Sequence, residues 1–157
     1  MKVQFKVEKN IEALVKLSET VHSIHHVLRP DVFDPYDEEK FRVWFTDFLE
    51  RRKGFCVFVK LEEKYIGYAL IKHKKPQVSN PFNNPDFQTL YIDQISFDPA
   101  YQNMGMGKEL IEFIKGMALR KGVHKVQLEV WNQNEKAVSF FKKNGFETIR
   151  EVLEVRL

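Results

Sequence analysis

The spacing of apolar residues changes several times along this chain, and each change marks an element. Val3, Phe5 and Val7 alternate with polar residues, which predicts a short strand with one buried face. Asn10 then precedes Ile11, Leu14, Val15, Ser18, Val21, His25 and Leu28, a helical spacing with a capping side chain at its start that runs until Pro30. Asp37-Glu38-Glu39 suits the positive end of a second helix, which would bury Phe41, Trp44, Phe45, Phe48 and Leu49 and stop at Gly54. Phe55–Leu61 and Tyr65–Lys72 are β-rich runs on either side of Glu62-Glu63-Lys64, the pattern of an antiparallel hairpin. His73–Phe87 contains Pro76, Pro81 and Pro85 and reads as a long irregular loop.

Thr89–Phe97 resumes as a strand, and Pro99, having no N–H to give to a ladder, stops it. Gly105–Lys121 places Leu110, Ile111, Ile114, Met117 and Ala118 on one helical face, with Gly122 just past the end. Lys125–Trp131 alternates Val126, Leu128 and Val130 as a further strand. Asn134 caps a short helix that closes at Asn144-Gly145, and Phe146–Leu157 supplies one or two last strands. The sum is an α+β fold over residues 1–157 as one domain, with a mixed, mostly antiparallel sheet of six to seven strands and about four helices.

Composition narrows the function classes. With 157 residues, 43% of them apolar, the chain can bury one core without metal or disulfide staples. Its 25 basic and 22 acidic side chains leave a formal charge of +3, too small and dispersed to mark a reader of phosphate backbones, so no nucleic acid partner is expected. A lone cysteine, Cys56, sits in an apolar run and is expected to be a buried thiol in a reducing compartment. No stretch approaches the roughly 20 apolar residues of a membrane span, and the N-terminus lacks a signal-peptide pattern, so the expectation is a soluble cytoplasmic protein with no membrane partner.

The chemistry is concentrated where the strand Thr89–Phe97 runs into Gln102-Asn103-Met104-Gly105-Met106-Gly107-Lys108 and then a helix. A helix's first turn has unpaired N–H groups and a partial positive charge, and glycines let an anion approach that backbone, so the segment suits a diphosphate. Two common diphosphate motifs fail on spacing. A dinucleotide fold needs a glycine three residues after Gly107, where Leu110 stands, and a P-loop needs Ser or Thr after Lys108 and a glycine at the Gln102 position.

The run from Tyr91 to Gly107, with Gln102-Asn103-Met104-Gly105-Met106-Gly107 at its end, resembles the acetyl-CoA-binding motif of the GNAT superfamily of N-acetyltransferases, Arg/Gln-x-x-Gly-x-Gly/Ala. A second block is similar to that family's other hallmark: Leu128-Glu129-Val130-Trp131, then Asn134 through Ala137, Phe140-Phe141 and Gly145-Phe146. The resemblance covers roughly residues 88–150. It implies a GNAT-like sheet splayed in the middle, with a slot for the pantetheine arm between Ile95–Phe97 and Leu128–Trp131. By this likeness the backbone at Ile95, Ser96 and Phe97 would pair with pantetheine, the N–H groups from Asn103, Met104, Gly105, Met106, Gly107 and Lys108 would take the diphosphate, and Gln102 fills the Arg/Gln position. Asn134 would reach the pantetheine region or cap its helix. Asp93 stands where many members place a carboxylate that acts as base through water; it would share a strand face with Ile95 and Phe97, and the plain alternative is a solvated or salt-bridged carboxylate. The family's usual acid, a tyrosine, is replaced by Phe141, which would pack near the thioester while water, Tyr101 or Ser139 assists the leaving thiolate.

The resemblance implies an acetyl-CoA-dependent N-acetyltransferase acting on a primary amine, of a small molecule or a peptide, by direct attack in a ternary complex. The other reading is an acyl-CoA-binding sensor or scaffold without turnover, which the missing tyrosine favours. Asp31 and Asp34 are weak acceptor-binding candidates, set against a turn before a helix start. His22, His25 and His26 cluster on the first helix, but no carboxylate or cysteine completes a ligand set, so no metal is expected. The stripe Phe41, Trp44, Phe45 and Phe48 reads as core, with a homodimer face as its alternative use.

Overall fold

The computed structural model describes residues 2–77 and 79–157; Met1, and Val78 within the expected His73–Phe87 loop, lie outside the described residues. The elements follow in the order β1 (Val3–Val7), α1 (Ile11–Leu28), α2 (Glu38–Glu50), β2 (Phe55–Leu61), β3 (Lys64–Lys74), β4 (Thr89–Phe97), a 3-10 turn over Pro99–Tyr101, α3 (Met106–Arg120), β5 (Val126–Leu128) and α4 (Glu135–Lys143). The helix starts are where the side-chain chemistry places them. Asn10 Oδ1 accepts from the Ala13 N–H at 3.0 Å, Asp37 Oδ1 from Lys40 at 3.1 Å, and Asn134 Oδ1 from Ala137 at 3.3 Å, each satisfying a donor the helix cannot pair internally.

The strands form one sheet in the order β1-β2-β3-β4-β5. The first four run antiparallel to their neighbours, while β5 joins β4 in parallel after the α3 crossover. Alternation along β2 and β3 sends Val57, Val59, Ala69 and Ile71 to one face and Cys56, Phe58, Tyr68 and Leu70 to the other. The first face packs on Leu110, Ile111, Ile114 and Met117 of α3 and on Phe141 of α4; the second packs on Leu14, Val15 and Leu17 of α1 and Phe45 and Phe48 of α2. Cys56 is buried in the second cluster, as its apolar run predicts, and burial pushes its thiol far above the usual range.

Three expectations are corrected. The sheet has five strands among the described residues, not six to seven, because 146–157 pairs with nothing as a strand. In that segment Val152 is out of phase with Ile149, Leu153, Val155 and Leu157, and all five side chains are exposed; ion pairs from Arg150 to Glu129 and from Glu154 to Arg29 hold the segment instead. The expected strand Lys125–Trp131 shrinks to Val126–Leu128, and β3 runs two residues beyond its expected end, to Lys74.

Two packing predictions follow from these contacts. Phe45 is completely buried between α2 and Tyr68, so Phe45→Ala should lower unfolding free energy by about 3–5 kcal/mol in urea melts. Asn134→Ala should cost about 1 kcal/mol through the lost cap, and Asn134→Asp should restore most of it; equal losses in both would show that the side chain's main work lies elsewhere.

Candidate functional site

The site begins with a break in pairing. β4 is nine residues long, yet β5 pairs with only its first part, Leu90↔Val126, Tyr91↔Gln127 and Ile92↔Leu128. Beyond Ile92 the two strands part, and the side of β4 facing β5 is left without a ladder partner from Asp93 to Phe97. Unpaired backbone groups at a sheet's interior demand a partner, so this gap is a place for an extended ligand to hydrogen-bond. It lies between Ile95–Phe97 and the chain that follows Leu128, as the expected slot does.

A bulge sets which side chains face which way around the gap. Leu70 pairs with Gln94 and Ile71 with Ile92, so Asp93 is an extra residue in β4 with no counterpart in β3. Before it, Leu90 and Ile92 point toward α3; after it, Ile95 and Phe97 take that side. Gln94 and Ser96 turn to the opposite face, where Gln94 accepts from the Tyr68 hydroxyl and Ser96 Oγ donates to the Leu17 carbonyl of α1 at 3.1 Å. The charges acting on Asp93 come from Lys74, Arg52, Lys72 and Glu129, with the three cations at the end of α2 and along β3. Lys72 and Lys74 follow Tyr68 and Leu70 in alternation, which places them on the α1–α2 face. Asp93 thus belongs with that face rather than with Ile95 and Phe97, because the extra residue shifts the strand's phase. More than a third of its surface is open, yet desolvation by its surroundings raises its carboxyl above the ordinary range, outweighing the opposing pull of Lys74, Arg52 and Lys72.

The loop from β4 to α3 is closed by its own side chains. Gln102 Nε2 donates to the Phe97 carbonyl at 3.1 Å, and Asp98 Oδ1 accepts from the Ala100 N–H at 2.9 Å. Asn103 has φ 60° and Gly105 φ 84°, two left-handed positions that turn the chain into α3. An added Cβ at Gly105 would meet nothing within 4 Å, so the space over the helix start is open to a ligand. One at Gly107 would lie 3.0 Å from the Phe140 ring, so the second glycine serves the packing of α3 on α4. Met106 is buried, whereas Asn103, Met104, Gly105 and Lys108 are exposed around the first-turn N–H groups. The loop therefore fits a diphosphate through backbone donors at the positive end of a 15-residue helix.

Phe141 sits at 7% exposure in the α3-side core, edge-on to Phe140 and Phe146 at 5.2 and 5.5 Å. Of the two hydroxyls considered beside it, Tyr101 accepts from Lys64 Nζ at 3.3 Å and Ser139 lies on the exposed face of α4.

On the other side of the gap, the α1–α2 loop is folded onto the end of the slot. His22 Nε2 and His26 Nδ1 each meet a loop carbonyl, of Asp34 and Phe33, at 2.6 Å, so the histidines pin the loop to α1. Phe33 stands edge-on to Trp131 at 5.7 Å, and the Arg29 guanidinium covers the same indole at 4.9 Å. Asp31 is engaged by Arg29 Nε and Nη2 at 2.9 and 2.7 Å, an ion pair that holds its carboxyl down to about 2. Asp34 contributes its carbonyl to His22. The Phe33–Trp131 contact was not foreseen from sequence, because it joins residues 98 positions apart and no local pattern links them. Two surface hollows, about 760 Å³ along the outer face of α2 and about 410 Å³ between Glu12, Glu19, Tyr36 and Glu38, include no residue of the slot. We place the site at the parted strands, where unpaired backbone and convergent polar groups meet, rather than at either hollow.

Comparison with known proteins bears on the family and the fold. The family model described as Acetyltransferase (GNAT) family matches residues 21–146. Thialysine N-epsilon-acetyltransferase of Sus scrofa is 31% identical over 64 residues, 41% of this chain and 38% of the relative, so the match spans well under half of that protein. An uncharacterized N-acetyltransferase of Lactobacillus delbrueckii subsp. lactis is 31% identical over 100 residues, 62% of this chain and 54% of its own. Among solved structures, a tetramutant of the BH1408 protein from Bacillus halodurans superposes with a TM-score of 0.83 at 20% identity, covering both chains completely. AAC(6')-Iy, solved with a bisubstrate analogue CoA-S-monomethyl-acetylneamine, gives 0.73 at 14% identity over 100% of this chain and 99% of its own. At those identities the two structures speak for the fold alone. The family match over most of the chain, together with the parted strands and the glycine loop, shows that this protein belongs to the GNAT family of acetyltransferases.

Proposed function

We propose that the chain is an N-acetyltransferase that uses acetyl-CoA and acetylates a primary amine, of a small molecule or a peptide, by direct attack in a ternary complex. The observation that carries this reading is the unpaired stretch of β4 from Asp93 to Phe97 ending in an open helix start at Gly105. The thioester of acetyl-CoA, when bound, supplies an acyl carbon that a neutral amine can attack. First-turn N–H groups of α3 hold the diphosphate, with Asn103 and Lys108 at its rim. Those backbone groups of Ile95, Ser96 and Phe97 that face away from β3 hold the pantetheine amides and orient the acyl group across the gap, while the Phe97 carbonyl is bound by Gln102. Ser96 serves through its backbone, since its hydroxyl is bound to α1.

Asp93 takes, through water, the proton that an ammonium acceptor must lose before it can attack. Its raised affinity for protons suits that task better than an ordinary surface carboxylate would. Phe141 shapes the inner wall and gives no proton. A thiolate is a good enough leaving group to depart with solvent as its acid, and Asn134 serves first as the cap of α4. Binding of acyl-CoA without turnover is the competing reading, and it draws on the same phenylalanine.

A free-thiol assay with acetyl-CoA and an amine panel should give coenzyme A release that depends on the amine; tight binding with only background hydrolysis would favour the sensor. Asp93→Asn should lower kcat/KM roughly 10- to 100-fold at neutral pH. The loss should shrink at high pH, where amines shed protons unaided, and an equal loss at both would remove Asp93 as base. Because a base works only when deprotonated, activity should rise with pH through the Asp93 pKa, and that rise should lie above the ordinary carboxylate range.

A further inference from the structure

One end of the slot is strongly basic. The last turn of α2 runs into Arg51-Arg52-Lys53, and β3 ends in Lys72-His73-Lys74, followed by Lys75. Strand register brings the two stretches together: Phe55 pairs with Ile71, so the residues just before β2 lie beside those just after Ile71. Lys72 then pairs with Tyr91 and Lys74 with Thr89, which sets both lysines alongside the first half of β4. They share the α1–α2 face with Tyr68 and Leu70. Lys74 Nζ sits 3.4 Å from the centroid of the Tyr91 ring, and Lys74, Arg52 and Lys72 are the cations that act on Asp93.

Their negative partners are few. Asp47 takes Arg52 at 2.8 Å and Arg51 at 3.8 Å. Among the described residues, no carboxylate comes within 4 Å of the Lys72 or Lys74 ammonium, although Lys72 is half-buried. A partly desolvated cation without a counter-ion favours the arrival of an anion. The distance is also suitable. Tyr91, opposite Lys72, is two residues from Asp93, about 7 Å along an extended strand, a reach that a molecule of lysine's length spans.

We propose that the acceptor is an amine that also bears a free carboxylate, of roughly lysine's length, with its amine at Asp93 and its carboxylate held by Lys72 and Lys74. This rests on the transferase reading above and adds to it the chemical class of the acceptor. The arrangement serves the reaction twice. The lysines select the carboxylate end and so orient the molecule, and their positive field disfavours an ammonium beside them, which helps the acceptor reach its neutral, attacking form.

The test compares lysine, ornithine and 6-aminohexanoate with the matched amines cadaverine, putrescine and hexylamine. Each is titrated by calorimetry into protein saturated with coenzyme A, and each is assayed with acetyl-CoA. The carboxylated member of each pair should bind and turn over better by about tenfold. In the Lys72→Gln/Lys74→Gln double variant that ratio should fall toward one, while Lys6→Glu, on the far edge strand, should leave the ratio as it is in the wild type. A wild-type ratio of one or less, no binding of any carboxylated probe, or an unchanged ratio in the double variant would overturn the proposal. A protein that turns over the diamines as well as the amino acids keeps the transferase reading and loses only this one. Failure to bind acetyl-CoA at all would end both.

Discussion

The functional part of this molecule depends on two strands that stop touching. A parallel pair that stayed zipped along all of β4 would satisfy every backbone group internally and leave nothing for a ligand to grasp. Here only three residue pairs form before the strands part. The cost of leaving the far half of β4 unpaired on one side is contained because its other side is laddered to β3 from Gln94 to Phe97, through pairs such as Gly67↔Phe97 and Tyr68↔Ser96. The Ser96 hydroxyl adds a tie to α1 from the opposite face. The open edge is therefore held by a rigid back, which is the condition for a binding groove with fixed geometry.

Much of the fold was legible because local chemistry and long-range packing agree. Asn10, Asp37 and Asn134 each declare a helix start by their own hydrogen-bonding capacity, and each does cap the helix expected there. Thr89–Phe97 was readable as a strand because β-branched and aromatic residues end at a proline that cannot continue a ladder. Strand length at the sheet's edge was not readable in the same way. Glu129-Val130-Trp131 continues the alternation of β5, but whether alternation becomes a strand depends on a neighbour, and the neighbour has turned away. The same reason explains 146–157, whose apolar residues have the composition of a strand without a partner to pair with.

At the site, the glycine loop could be read from sequence because helix starts and left-handed turns are local properties. Orientation could not. The extra residue in β4 is invisible to a period-two count, which puts Asp93 on the face of Ile95 and Phe97, and only the register against β3 reveals the change of phase. The basic end of the slot is hidden in the sequence for a related reason. Arg52 and Lys72 are far apart in the chain, and the hairpin that brings their neighbourhoods together is what turns ordinary solvated charges into a field acting on one carboxylate.

That single supernumerary residue also fixes what kind of change β4 can absorb. Substitutions along the strand alter one contact each, whereas deleting Asp93 would leave Ile92, Gln94 and Ile95 opposite Ile71, Leu70 and Ala69 as an unbroken ladder. Ile95 and Phe97 would keep the α3 side and Gln94 and Ser96 the α1 side, and what would go is the carboxylate and the local bend of the strand. The extra residue is therefore dispensable to the packing on either face, and a descendant that keeps the full count between Ile92 and Asp98 keeps it for what the bulge presents at the gap rather than for the core.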